Sequence, residues 1–122
     1  EGANWEAIMF ASHHKLDNLH LIVDNNNISM LDYTDNIVSH SNLLERLTSF
    51  GWDCVEVDGH DVISVLDVLL DKKNTTKGKP KAIISKTLKG RGVPGLENEP
   101  LSHIINPKPE LIDELLNRDK EL

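Results

Sequence analysis

The apolar positions along the chain change period several times, and each change marks an element. From Ala3 to about Lys15, Trp5, Ile8, Met9 and the series Ala3, Ala7 and Ala11 recur at helical spacing. That spacing predicts a helix whose alanine row lets another element approach closely. Leu19-His-Leu-Ile-Val23 is a short apolar run ending at Asp24, the pattern of a buried parallel strand. Asn25 to Ser41 is rich in Asn, Asp and Ser and predicts a long loop. A second helix is expected from about Asn42 to Phe50, with Leu43, Leu44, Leu47 and Phe50 on one face. Asn42 is placed to cap it, Glu45 supports its first turn, and Gly51 ends it.

Trp52 to Val57 predicts a second strand, its faces alternating between Trp52/Cys54 and Val55/Val57. Asp58-Gly-His-Asp61 turns the chain, and Asp61 is expected to cap a helix over Val62, Leu66, Leu69 and Leu70. A polar surface loop is expected over Asn74–Lys79, and a third strand over Lys81-Ala-Ile-Ile-Ser85. Thr87 to Pro107 holds three glycines and three prolines and predicts an irregular stretch. A last helix is expected from near Pro109, with Leu111, Ile112, Leu115 and Leu116 facing inward. Strands alternating with helices mean an α/β fold: a parallel sheet flanked by helices and joined by right-handed crossovers. No internal repeat, low-complexity tract or internal domain boundary is evident. Ligands of such sheets bind beyond the carboxyl ends of the strands. That rule selects Asp24–Asn27, Asp58–Asp61 and Lys86–Gly92.

Composition narrows the functions available. With 122 residues, 39% hydrophobic and 27% charged, the chain suits one soluble domain with a real core. Thirteen Lys and Arg against 20 Asp and Glu leave a formal charge of -7, and no basic stretch interleaves with aromatics. This argues against nucleic acid, whose binding needs a basic face. Cys54 is the only cysteine, so no intrachain disulfide is possible; in its apolar run it reads as a buried, inert thiol. A reducing, cytoplasmic compartment fits. No apolar run is long enough to span a bilayer, and the first residues lack the order of a secretory signal. The chain begins at Glu1, already in a helical pattern, which suggests processing or further residues upstream.

The residues with most chemical content are Asp24-Asn-Asn-Asn-Ile-Ser29, directly after the first strand. A carboxylate, an Asn amide oxygen and a backbone carbonyl from one tight turn are part of what magnesium requires, a near-octahedral shell of hard oxygens. The same residues also suit a plain turn, in which asparagine caps or adopts left-handed dihedrals. Gly90 and Gly92 either let backbone amides approach a phosphate or simply make a flexible loop. Lys86 and Lys89 either pair with anions or face solvent. Asp58-Gly-His-Asp61 reads as a turn and helix cap without a catalytic role. His13, His14, His20, His40 and His60 read as structural.

Glu1-Gly-Ala-Asn-Trp-Glu-Ala, Lys15-Leu-Asp-Asn-Leu and Ile22-Val-Asp-Asn-Asn-Asn-Ile-Ser together resemble the diphosphate-binding half of transketolases. The resemblance continues through Phe50-Gly-Trp52, Val57-Asp-Gly-His-Asp61, Pro80-Lys81, Lys86-Thr-Leu-Lys-Gly-Arg-Gly92, Glu97-Asn98 and His103, with Pro107 four residues later. It therefore covers nearly the whole chain, in order. It implies an incomplete thiamine-diphosphate-binding fold of the pyrophosphate-binding type, spanning residues 1–122, and the cofactors thiamine diphosphate and Mg2+. Asn26 matches the asparagine that gives its side-chain oxygen to magnesium beside the diphosphate, and Ile28 the residue that gives a backbone carbonyl. Glu1 and Glu6 match glutamates near the dimer interface, one of which links paired active sites; on the residues alone both suit the first turn of a helix. Gly2, in the Glu-Gly pair, falls beside the cofactor. His103 matches a histidine near cofactor and substrate that donates protons or hydrogen bonds.

The implied reaction transfers a two-carbon ketol unit between sugar phosphates, in a homodimer or heterotetramer, without nucleic acid or membrane. Sister readings are a 1-deoxyxylulose-phosphate synthase-like enzyme and a non-catalytic assembly module. Gly92-Val-Pro-Gly-Leu-Glu-Asn98 favours split, small-subunit transketolases. There are departures from the family pattern. The chain holds no Gly-Asp-Gly, the family's source of an anionic magnesium ligand, and has Leu31-Asp32 where Asp-Gly is common. His103 is followed by Ile104 rather than Gly. The pyrimidine-binding domain or subunit, which supplies the glutamate that activates the cofactor's ring, is outside these residues. The chain alone is therefore expected to be inactive.

Overall fold

The structure is a computed structural model that describes residues 1–71 and 76–118. It contains helix α1 (Gly2–His13), strand β1 (His20–Asn25), the short strands β2 (Ile28–Ser29) and β3 (Asp32–Tyr33), and the single turn α2 (Thr34–Ile37). These are followed by α3 (Leu43–Ser49), β4 (Asp53–Asp58), α4 (Val62–Leu70), β5 (Lys81–Lys86), a 3-10 turn at Pro100–His103, and α5 (Pro109–Arg118). They form two compact units interleaved in sequence. One comprises Glu1–Asn25 and His40–Thr87; the other comprises Asn26–Ser39 and Leu88–Leu122.

The first unit is built on a three-stranded parallel sheet of order β1-β5-β4. Lys81-Ala-Ile-Ile84 occupies its centre and is buried throughout. Alternation along β5 gives each face its core. Ala82 and Ile84 pack with Ile8 and Ala11 of α1, Leu47 of α3 and Trp52, while Leu21, Leu43, Leu44, Phe50 and Cys54 line the margin. The Trp52 indole, 3% exposed, donates its N–H to the Ile8 carbonyl at 2.9 Å. That bond gives a buried polar group its partner and ties α1 to the sheet. On the other face lies α4. Lys81, only 6% exposed, reaches across to donate to the Val68 carbonyl at 3.0 Å in the last turn of α4. A cation is favoured at that end of a helix.

Among the described residues, the strand expected to be buried, Leu19–Val23, lies at the edge of the sheet. Leu21 and Val23 turn toward the core, but Ile22 on the opposite face is 56% exposed. Its apolar run is indistinguishable by composition from that of β5, and only strand order separates them. Ala11 enters the core while Ala3 and Ala7 remain exposed. Asn42 precedes α3 without a side-chain cap; it contributes instead a left-handed backbone, φ 56°, which asparagine tolerates. Gly51, φ 92°, closes that helix with its N–H on the Thr48 carbonyl. Burial raises the Cys54 pKa above its usual value, which suits an inert thiol. Asn74–Thr75, the start of the expected Asn74–Lys79 loop, lie outside the described residues. In the remainder, Gly78 donates to Asp17 at 3.0 Å.

In the second unit the expected long loop is not wholly irregular. Ile28–Ser29 and Asp32–Tyr33 pair antiparallel, turning at Met30 with φ 61°, and α2 follows. Two-residue strands leave no alternation to detect. Asp32 organises the return, accepting from its neighbour's Tyr33 N–H at 2.7 Å and from Asn36 at 2.9 Å. In α5, Leu111 and Leu115 are half-buried, whereas Ile112 and Leu116, expected inward, are exposed.

Two expected outcomes follow from this packing. At Gly59 an added Cβ would collide with the Ser85 and Thr87 side chains and lie 3.2 Å from the Lys86 carbonyl. Gly59→Ala should therefore cost about 1–3 kcal/mol in denaturant unfolding, the scale of overpacking; an unchanged midpoint would show that the β5 end gives way freely. Asp61 caps α4 by accepting from Ile63 N–H, Ser64 N–H and the Ser64 hydroxyl. Chiefly through the Ser64 hydroxyl and then its N–H, these bonds hold its carboxyl below the usual aspartate range. A lowered folded pKa gives stability that is present above the unfolded value and lost as pH falls through the folded one. Protection of the Ile63 and Ser64 amides, relative to their intrinsic exchange at the same pH, should fall only at the acid end, below about pH 4. In Asp61→Ala that protection should be low at every pH.

Candidate functional site

Parallel pairing in register brings the carboxyl ends of the three main strands to one edge. Asp24 stands opposite Ser85, and Asn25 and Asp58 both stand opposite Lys86. Of the positions singled out in sequence, Asp24–Asn27, Asp58–Asp61 and Lys86–Gly92, the strand-end residues Asp24–Asn25, Asp58–Gly59 and Lys86–Thr87 therefore converge. The edge is cross-linked. The Thr87 hydroxyl donates to the Asp24 carboxylate, the Gly59 N–H to the Lys86 carbonyl at 2.8 Å, and the Asp58 carboxylate accepts the His60 N–H at 2.9 Å. Lys86 pairs with Glu56 at 2.8 Å, although both remain substantially exposed; such a pair contributes little to stability. Sequence reasoning does not find Thr87 and Gly59 as structural partners of this edge. The only signal is a glycine at a strand-to-helix turn.

Directly after β1, in the second unit, Asn26 makes a side-chain turn. Its amide oxygen accepts the Ile28 N–H at 2.9 Å. Asn27 adopts φ 60°, and its carbonyl accepts the Thr34 N–H at 2.9 Å. The turn reading is thus realised by these residues. In an antiparallel ladder, successive residues point alternately toward and away from the partner strand. Because Asn27 bonds to Thr34, Ile28, paired with Tyr33, directs its carbonyl away from β3. An amide oxygen and a backbone carbonyl, both hard donors, therefore stand two residues apart in one turn. Among the described residues no group of three or more His, Cys, Asp and Glu is arranged to hold a metal.

His103 ends the 3-10 turn and is exposed. The turn is capped by Glu99, which accepts the Leu101 N–H at 3.1 Å. β3 packs against this turn, so the structure brings the Asn26–Ile28 hairpin and the segment carrying His103 together within one unit. The loop before it is tightly knit. Gly90, φ 74°, has no room for a side chain against the Leu96 carbonyl. The Gly92 N–H, which sequence offered to a phosphate, instead donates to Glu97 at 2.7 Å. Glu1 and Gly2 belong to the other unit, at the start of α1. Glu1 is exposed and makes no side-chain cap. Gly2 has nothing within 4 Å of where a Cβ would stand, so no neighbour in the described chain requires a glycine there.

The family model described as transketolase, thiamine diphosphate binding domain, matches residues 1–115. The chain is 35% identical over 121 residues to an apulose-4-phosphate transketolase subunit from Actinobacillus succinogenes, covering 99% of this chain and 43% of that one. It is 40% identical over 103 residues to the transketolase of Homo sapiens, covering 84% of this chain and 16% of that one. Among solved structures, the transketolase of Campylobacter jejuni superposes with a TM-score of 0.83 at 31% identity, over 98% of this chain and 18% of that one. The chain thus spans less than half the length of these relatives. With a parallel sheet flanked by helices and a match along nearly its whole length, the chain belongs to the transketolase family, within its thiamine diphosphate-binding domain.

Proposed function

We propose that this chain serves as the diphosphate-binding part of a transketolase that transfers a two-carbon ketol unit between sugar phosphates. Both compact units, residues 1–122, then belong to one cofactor domain. The observation that carries this reading is the Asn26 turn, in which the bond to Ile28 N–H fixes an amide oxygen while the Asn27–Thr34 bond turns the Ile28 carbonyl away from β3. That donor set fits magnesium, which is bound through a few protein oxygens plus the phosphates of its ligand. Asn26 and Ile28 would hold Mg2+, and Gly2, free of any steric demand from its neighbours, would lie against thiamine diphosphate. The bound cofactor supplies the carbanion chemistry of ketol transfer. His103, exposed beside the hairpin's partner turn, donates a proton or hydrogen bond toward cofactor and substrate. Glu1 and Glu6 would lie near a partner protomer, where one of them helps link the paired sites.

A pyrimidine-binding domain or subunit completes the enzyme, as a homodimer or a heterotetramer. The relatives that are single subunits of apulose-4-phosphate transketolases, from Actinobacillus succinogenes and Phocaeicola vulgatus, support the divided arrangement. Among the described residues no helix is long and apolar enough to cross a membrane, and a cytoplasmic location is proposed. Because the chain holds no Gly-Asp-Gly carboxylate, it should show no turnover with any sugar pair on its own. A coupled assay giving robust activity from the 122-residue chain would overturn that.

The metal turn is tested in the full-length protein with its partner. Asn26→Ala removes the amide oxygen and releases the turn that aims the Ile28 carbonyl. Affinity for magnesium and thiamine diphosphate, measured by calorimetry, should fall by about 1–3 kcal/mol, the scale of an orphaned polar contact. Excess magnesium should recover part of the activity. Asn25→Ala should do much less, since Asn25 is held through its backbone, its carbonyl accepting the Thr87 N–H at 3.5 Å. Equal losses in the two variants would mean that the wrong asparagine has been placed on the metal.

A further inference from the structure

The second unit contains a link that neither the sequence motifs nor the proposed metal turn accounts for. The Tyr33 hydroxyl donates to the Asn98 carbonyl at 3.1 Å, joining residues 65 apart in sequence. Each end of this bond is held. Tyr33 sits in β3, paired to Ile28; its own N–H is taken by Asp32, and the next residue, Thr34, is bonded to Asn27. The ring is therefore carried on the same hairpin as the Asn26–Ile28 turn. Asn98 adopts φ 52°, and its N–H donates to the Lys89 carbonyl at 2.9 Å. Glu97, one residue earlier, holds the Gly92 N–H. The Leu96 N–H bonds the Val93 carbonyl, and the Val93 N–H bonds the Gly90 carbonyl. Residues 88–98 are thus cross-braced, and they lead directly into the 3-10 turn that ends on His103.

We propose that Tyr33 is a positioning residue: through its bond to Asn98 it sets the 88–103 segment, and with it His103, against the Asn26–Ile28 turn. Tyr33 touches neither cofactor nor substrate in this role. Filling the oxygen-donor turn stiffens the hairpin, and the phenol hydroxyl passes that stiffening to the segment by holding one carbonyl. The inference rests on the reading of Asn26 and Ile28 as the magnesium–diphosphate donors. It adds to that reading a route by which occupancy of the turn orders a distant loop.

The test uses the full-length protein assembled with its partner chain, and Tyr33→Phe, which removes only the hydroxyl. Amide hydrogen exchange over residues 88–103 is measured with and without magnesium plus thiamine diphosphate, alongside calorimetric binding of the same pair. In the wild type, the cofactor should slow exchange across the segment. In Tyr33→Phe, cofactor affinity should stay within about twofold of wild type, while the added protection falls by roughly fivefold, the scale of one hydrogen bond. KM for the sugar phosphate should rise by a similar factor, with kcat little changed. Wild-type protection in the cofactor-bound variant would overturn the proposal. So would an equal rise in exchange with and without cofactor, which is the signature of a merely structural bond. Failure of the wild type to bind the cofactor at all would overturn the metal reading itself, and this inference with it. That outcome is visible before any variant is compared.

Discussion

The strand Lys81–Lys86 is the constraint on which the rest of the fold depends. Paired in parallel on both sides and buried along its first four residues, it leaves no choice of register for β1 or β4. A slip of one residue would carry Ala82 and Ile84 out of the contacts they make with α1 and α3. Because register is fixed, the ends of the three strands coincide. Because they coincide, Asp24 meets Thr87, Gly59 meets Lys86, and β1 ends at a defined edge just before the Asn26 turn. The Trp52–Ile8 bond then fixes how α1 lies on that sheet. The convergence of polar strand ends is thus a consequence of apolar burial further back along the same strands.

Within the second unit the organising device is smaller. One amide oxygen, that of Asn26, closes a turn onto Ile28 N–H, and the two-residue strands that follow would be marginal alone. Asp32, Thr34 and Tyr33 supply the bonds that hold the hairpin together, and β3 rests on the turn that carries His103. Short elements of this kind depend on side-chain oxygens where longer ones depend on packed apolar surface.

What can be read from sequence follows from the range of the forces involved. Asp61 as a cap, Gly51 as a helix stop and the periodicity of α3 are decided within a few residues, and the structure shows each of them. Whether Leu21-Ile-Val23 or Ala82-Ile-Ile84 is central depends on strand order, which is long-range, so the edge position of β1 does not show in its residues. The hairpin at Ile28–Tyr33 is hidden because its signal is two left-handed residues, Asn27 and Met30, rather than an alternating pattern. The Asn26 turn is proposed as a donor set through its likeness to transketolases; residue types alone do not separate it from an ordinary asparagine turn. The Tyr33–Asn98 bond is not legible at all, since nothing local links a tyrosine to a carbonyl 65 residues away.

The exposure of Ile22 bears on how the sheet can be extended. Both outer strands, β1 and β4, present a row of backbone donors and acceptors on one side, and such rows invite pairing unless something discourages it. Along β4 the strand carries Asp53, Glu56 and Asp58, of which Glu56 is paired with Lys86. Along β1 the middle of the strand is Leu21-Ile-Val23, with no charge and no proline until Asp24. The two margins of the described sheet therefore differ in charge: β4 carries three acidic side chains and β1 one, Asp24.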